Sequence, residues 1–99
     1  MEIRIQAIQF DADKKLLEFT KSKVEKLEHF SDNIIDIDVY LRIESAHGQV
    51  KEKAVEVKLN LPGATLFVKE HSKSFEVSVD KAVEALTRQV KKHKEKLKN

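Results

Sequence analysis

Four histidines, a pair of aspartates two residues apart and a lysine-rich close are the parts of this sequence whose residue types suit chemistry. His29, His47, His71 and His93 occur singly, with no His-x-x-x-His pair, and no cysteine is present to complete a zinc site. Each reads as a surface histidine, His93 falling near the edge of an apolar stripe. Asp36 and Asp38 alternate outward in "IIDIDVYLRIE". Two carboxylates on one strand face would act as an acid–base pair only if held close with separated pKa values, and solvated strand polarity is the simpler account. Gly48 and Gly63 are the only glycines, so no glycine-rich phosphate loop exists. The sequence predicts no catalytic residue, no metal, no cofactor and no small-molecule substrate, and argues against an enzyme.

The lysines remain. "LTRQVKKHKEKLKN", residues 86–99, carries one arginine, five lysines and one glutamate. The whole chain is +2, so this segment at +5 leaves residues 1–85 at −3. Cations near a helix C-terminus interact favourably with the partial negative charge there, which accounts for Lys94, Lys96 and Lys98 but not for Arg88. At ~100° per residue, Lys81, Arg88 and Lys92 project opposite a Val79–Val83–Leu86–Val90 stripe, with Lys91 and Lys96 to either side and Glu84 placed to steady Arg88. The result is a cationic ridge about 15–20 Å long. A slightly acidic remainder has no need of such a ridge for solubility, and concentrated positive charge suits polyphosphate, hence nucleic acid. Lys23 and Lys26, mixed with Glu25 and Glu28, add charge on an earlier helix. There is no tryptophan and one tyrosine, and Phe10, Phe19, Phe30, Phe67 and Phe75 read as core, so contact through phosphate and shape is expected ahead of base stacking.

These residues need elements to hold them. Ninety-nine residues, 40% hydrophobic and 36% charged, suit one globular domain. No apolar run approaches the ~20 residues of a membrane span, the N-terminus alternates without the apolar core of a secretory signal, and the lack of cysteine fits a reducing cytoplasm. In "EIRIQAIQF", Ile3, Ile5 and Ala7 share one side, and Ile8 breaks the alternation, marking a bulge or the strand's end. Asp11 and Asp13 are candidate N-caps for a helix over about 14–30, with Leu16, Leu17, Val24, Leu27 and Phe30 inward. A second strand puts Ile35, Ile37, Val39, Leu41 and Ile43 on one face; a loop follows at 45–49, then a strand bearing Val55, Val57, Leu59 and Leu61. Pro62–Gly63 fits the centre of a type II turn into a fourth strand at 65–70. A last helix runs from about 74 to 98, with Val79, Val83, Leu86, Val90 and Leu97 on one face. The order βαβββα predicts an α+β two-layer sandwich, two helices on one face of a four-stranded mixed sheet, with parallel first and second strands.

"RQVKKHKEKLK" (88–98) resembles the closing helix of the short ribosome hibernation promoting factors, also called ribosome-associated inhibitors or ribosomal subunit interface proteins. "LLEFTKSKVEKLEHF" (16–30), "IDVYLRIE" (37–44) and "LPGATLFVKE" (61–70) are similar to that family's first helix, its second strand and the hairpin into its fourth, so the resemblance covers nearly the whole chain in order. It implies a bacterial stress factor that occupies the decoding channel of the small ribosomal subunit, across the messenger and transfer RNA sites, and regulates translation by silencing the empty ribosome. By this resemblance the ribosomal RNA contacts fall on Lys23, Lys26, Arg88, Lys92, Lys94 and Lys96, with Lys91 adding charge at a position the family leaves variable. Ala85 stands where the family commonly has lysine and Phe75 where it usually has tyrosine, which puts one phosphate and one hydroxyl contact in question. The resemblance further implies a single ribosome-binding domain over 1–99 without the C-terminal dimerisation domain of some members, cytoplasmic and monomeric away from the ribosome. Two other readings stay open: a general double-stranded RNA-binding module, whose domain has a related αβββα order, and a protein-interaction module acting through the last helix's apolar stripe.

Overall fold

Alternation builds the centre of the sheet. Ile37, Val39 and Leu41 are fully buried, and Asp36, Asp38, Tyr40 and Arg42 between them are not. The computed structural model describes every residue except His47, Gln49 and Asn99, together with the side chains of all others but Ala46 and Lys98. The surface reading of His47 and the tip of the 45–49 loop on either side of Gly48 therefore lie outside the described residues. The elements are β1 (Glu2–Ile8), α1 (Lys14–Glu25) continued by a 3-10 segment (Lys26–Phe30), β2 (Asp36–Ala46), β3 (Val50–Leu61), β4 (Ala64–Ser72) and α2 (Phe75–Lys98). The strands lie in the order β1-β2-β3-β4, with β1 parallel to β2 and the other pairs antiparallel. This is the predicted α+β sandwich.

Register aligns the inward residues into rows. Ile5, Val39, Val57 and Val68 are successive partners across the four strands, and Ile3, Ile37, Leu59 and Leu66 form the next row. The helices cover this face. Val79, Ala82, Leu86 and Val90 of α2 are each at most 1% exposed, as are Val24 and Leu27 from the α1 side. Ser74 caps α2, its hydroxyl accepting from the Val77 amide at 3.1 Å, and Asp13 caps α1 by accepting from the Leu16 amide at 2.8 Å. The buried Ser78 hydroxyl donates to the Lys53 carbonyl at 2.7 Å, pinning the start of α2 to β3. Gly63 has φ 73°, as the third residue of a type II turn requires.

Three expectations are corrected. The first helix is not α-helical to Phe30 but tightens into a 3-10 segment from Lys26. Val24, Leu27 and Phe30 are spaced by three, and only three residues per turn keeps such a series on one side. Leu97, Ile35 and Ile43 share the period of their buried neighbours yet are 68%, 55% and 43% exposed, because they fall at element ends past the cover of the other layer. Phe67 is not core: it pairs with Lys58 on the open side of the sheet and is half exposed. Phe10 and Phe75 do close the core, their rings stacked with centroids 5.2 Å apart.

Leu86 sits in the middle of the α2 contact and is fully buried, so Leu86→Ala is expected to destabilise the fold by about 2–5 kcal/mol. Urea unfolding should show a lower midpoint with an unchanged slope.

Candidate nucleic-acid interface

The two faces of the molecule handle charge differently. On the open face of the sheet, Arg4 donates to Asp38 at 2.6 Å, to Asp36 at 2.8 Å and to Glu2 at 2.7 Å, and Asn60 donates to Asp36 at 2.6 Å. Arg42 pairs with Glu56 at 3.1 Å, Lys69 with Glu44 at 3.0 Å, and His71 with Glu52. The hydrogen bond from Asn60, followed by that from Arg4, holds the Asp36 carboxyl below the usual range, and the bonds to Asp38 and then Asp36 push the Arg4 guanidinium up. A carboxylate so held stays ionised at neutral pH and is not available to donate a proton. Through Arg4, Asp36 and Asp38 of β2 are both tied to β1.

On the helical side the charges point out. Phe10, just before α1, stacks on Phe75 at the start of α2, and Lys91 near the end of α2 lies 5.0 Å above the Phe30 ring, so both helices begin at the same end of the sheet. Arg88 is well exposed, its one acidic partner among the described residues being Glu84 at 3.3 Å on the same helix. Lys91, Lys92, Lys94 and Lys96 are all exposed, and none has an acidic side chain within 4 Å among the described residues. Lys91 and Lys94 border a recess with His29 and Phe30 of the 3-10 segment; Lys92 and Lys96 border another with Leu66 of β4, Gln89 and His93. Lys26 is exposed as well.

Lys23 is placed differently. Its side chain is 33% exposed, 3.4 Å from Asp80 of α2 and 5.4 Å from the Phe19 ring. Asp80 precedes Lys92 by twelve residues, about 18 Å along the helix, so the structure does not bring Lys23 into the terminal cluster. Nothing short-range in the sequence signals the Lys23–Asp80 pair, which needs the two helices side by side. Gln89 was also passed over: its amide donates to the Phe67 carbonyl at 3.2 Å, tying α2 to β4. His29, His71 and His93 sit on the 3-10 segment, β4 and α2, and no group of three His, Cys, Asp or Glu suited to a metal exists among the described residues. Among the described residues no helix is long and apolar enough to cross a membrane.

A fold of this order with cations along its last helix has relatives. Residues 3–98 match the family described as Sigma 54 modulation protein / S30EA ribosomal protein. The chain belongs to that family. Among its S30EA relatives, the ribosome hibernation promotion factor of Deinococcus radiodurans is 32% identical over 77 residues, covering 78% of this chain and 40% of that protein. The ribosome hibernation promoting factor of Azotobacter vinelandii is 28% identical over 96 residues, covering 97% of this chain and 85% of that protein. The chain thus spans well under half of the first relative and most of the second. A solved ribosomal subunit interface protein from Coxiella burnetii superposes with a TM-score of 0.84 at 26% identity, covering 95% of this chain and 98% of that one. Within the S30EA fold, Phe75 is 7% exposed and stacked on Phe10, and Ala85 packs against the core. Neither carries a polar group outward.

The depressed Asp36 pKa has a sign that can be checked. A carboxyl held below its ordinary value of 3.8 contributes stability that is complete above that value and is lost as pH falls through the folded one. Asp36→Asn is therefore expected to flatten the loss of stability below about pH 4, measured by urea midpoints at pH 3 to 6.

Proposed function

We propose that the protein is a ribosome hibernation factor, a translation inhibitor that binds small-subunit ribosomal RNA in the decoding channel and so blocks the messenger and transfer RNA sites. The observation that carries this reading is the sorting of charge: the described acids of the open sheet face engage cations of that same face, while Lys91, Lys92, Lys94 and Lys96 stand exposed with no acidic side chain within 4 Å among the described residues. A surface of that kind has free capacity for phosphate and none of the geometry of a catalytic site. Support also comes from the relatives, which are named for ribosome hibernation, and from the Coxiella protein, named for the ribosomal subunit interface. In this reading Arg88, Lys91, Lys92, Lys94 and Lys96 make the main contacts and Lys26 extends them. Lys23 contributes less, because Asp80 already balances it. In this reading residues 1–99 form one ribosome-binding domain that acts in the cytoplasm, where ribosomes are, and is monomeric when not bound to one.

Each neutralised phosphate contributes roughly 0.7–0.9 to the slope of log affinity against log salt. Arg88→Gln with Lys92→Gln should weaken binding to isolated small subunits and flatten that slope by about 1.5 units; unchanged affinity and slope would reject the assignment. Occupancy of the channel gives a second check. Inhibition of translation should disappear on ribosomes already carrying messenger and initiator transfer RNA, and inhibition that persists there points to another target.

A further inference from the structure

The two edges of the sheet are finished differently. Along β4, Gln89 of α2 donates to the Phe67 carbonyl. Along β1, no strand pairs on the outer side and no side chain bonds to the backbone among the described residues. Such an edge presents unpaired N–H and C=O groups to water. The inward row that crosses it thins out in the same direction: Val39 is fully buried and Val68 is 8% exposed, whereas Ile5, like Ile3, is only partly buried. Three recesses run together along this edge, between β1 and α1. The first, of about 360 Å³, lies against Ile3, Ile5 and Leu17. It shares Ile3 and Lys21 with a second of about 420 Å³, which shares Met1 and Glu28 with a third of about 320 Å³. The far end is acidic. Glu25, Glu28 and Asp32 are exposed there, and none has a cationic group within 4 Å among the described residues.

We propose that this groove takes an extended peptide of a partner protein as a fifth strand on β1, its alternate apolar side chains over Ile3, Ile5 and Leu17 and a basic one against Glu25, Glu28 and Asp32. An unpaired strand edge beside an apolar recess is the arrangement that strand addition uses: the main chain supplies the bonds and every second side chain the selectivity. The dimensions agree. Leu17 and Glu28 are eleven residues apart, about 17 Å along the helix, which five extended residues span at ~3.3 Å each. Antiparallel pairing is the more stable per residue, so the peptide runs against β1, apolar residues first and the basic one last. Charge selects the occupant. Unpaired carboxylates repel phosphate, so the groove is no extension of the RNA contact, and none of the lysines assigned to that contact lines it. A second copy of this chain does not fit either: the inward residues of its β1 are Ile3, Ile5 and Ala7, and its Arg4 is held by Asp36 and Asp38 on the other face.

The test is a low-salt NMR titration of the isotope-labelled full chain with the peptide acetyl-Ile-Thr-Ile-Thr-Lys-amide, whose isoleucines and lysine share one face of a strand. Amide resonances of Glu2–Ala7 and of Leu17–Glu28 should move while those of residues 91–96 stay; unmoved β1 and α1 resonances overturn the proposal. N-methylation of the threonines and N-methylation of the second isoleucine and the lysine remove alternate N–H groups. In an added strand only one of these sets faces β1, so one modified peptide should lose binding and the other keep it within about twofold. Equal effects of the two overturn strand addition. Glutamate in place of the peptide's lysine should weaken binding roughly tenfold, and in the Glu25→Gln, Glu28→Gln variant the two peptides should come within about twofold of each other. Both glutamates are exposed, and unchanged resonances elsewhere will confirm that the variant folds. An undiminished preference for lysine in that variant overturns the assigned acids. Concentration-dependent shifts of the β1 resonances without peptide would give the edge to a second copy and overturn the proposal as well.

Discussion

The docking of α2 on the sheet is the contact from which the rest of the surface takes its orientation. Val79, Ala82, Leu86 and Val90 leave water against the inward residues of β3 and β4, and burying one face of a helix settles which way every other side chain points. With that stripe inward, Arg88 and Lys91–Lys96 are outward. The same docking brings Gln89 to the Phe67 carbonyl and Asp80 to Lys23, so α2 is tied to β4 on one side and to α1 on the other. Its length does the remainder. Twenty-four residues carry the helix past the last buried turn, and the cations concentrate there.

The two faces use the same residue types for different ends. Exposed ion pairs add little stability one at a time, so the ladder on the open face matters chiefly for what it cancels. Arg4 bridges the parallel β1–β2 pair through Asp36 and Asp38, and opposite charges placed across neighbouring strands favour one register over a slipped one. Arg4, Arg42 and Lys69 are engaged in the process, while Lys58 has no acidic side chain within 4 Å among the described residues. At the end of α2 the cancellation is slight: Arg88 pairs with Glu84, and Glu95 is the single acid against six cations in residues 86–99. A chain of net charge +2 thereby presents a strongly positive feature in one place, with a field that steers a polyanion to that end.

Much of this was legible in the sequence because two periods govern it. A period of two in β2 and β3 and steps of three and four in α2 identify the strands, the last helix and its inward stripe, and the cationic side follows by elimination. What periodicity cannot report is where the opposite layer stops. Leu97 and Ile43 have the right phase and the wrong neighbours, and Phe67 was assigned by residue type although its strand phase puts it with Lys58 on the open face. The 3-10 segment was hidden because a spacing of three occurs in α-helices too, and only Val24, Leu27 and Phe30 taken together favour the tighter turn. The Lys23–Asp80 pair joins residues far apart in the chain and was beyond any local signal.

The central claim is that the molecule meets RNA with the end of its last helix and not with its sheet, and the reactivity of individual lysines toward an amine-modifying reagent tests it directly. Mass spectrometry of the free protein and of the protein bound to small subunits would read each site. The account predicts that Lys91, Lys92, Lys94 and Lys96 lose reactivity on binding while Lys58 and Lys69 on the open sheet face keep theirs. Protection of Lys58 and Lys69 with the helix lysines unchanged would contradict it.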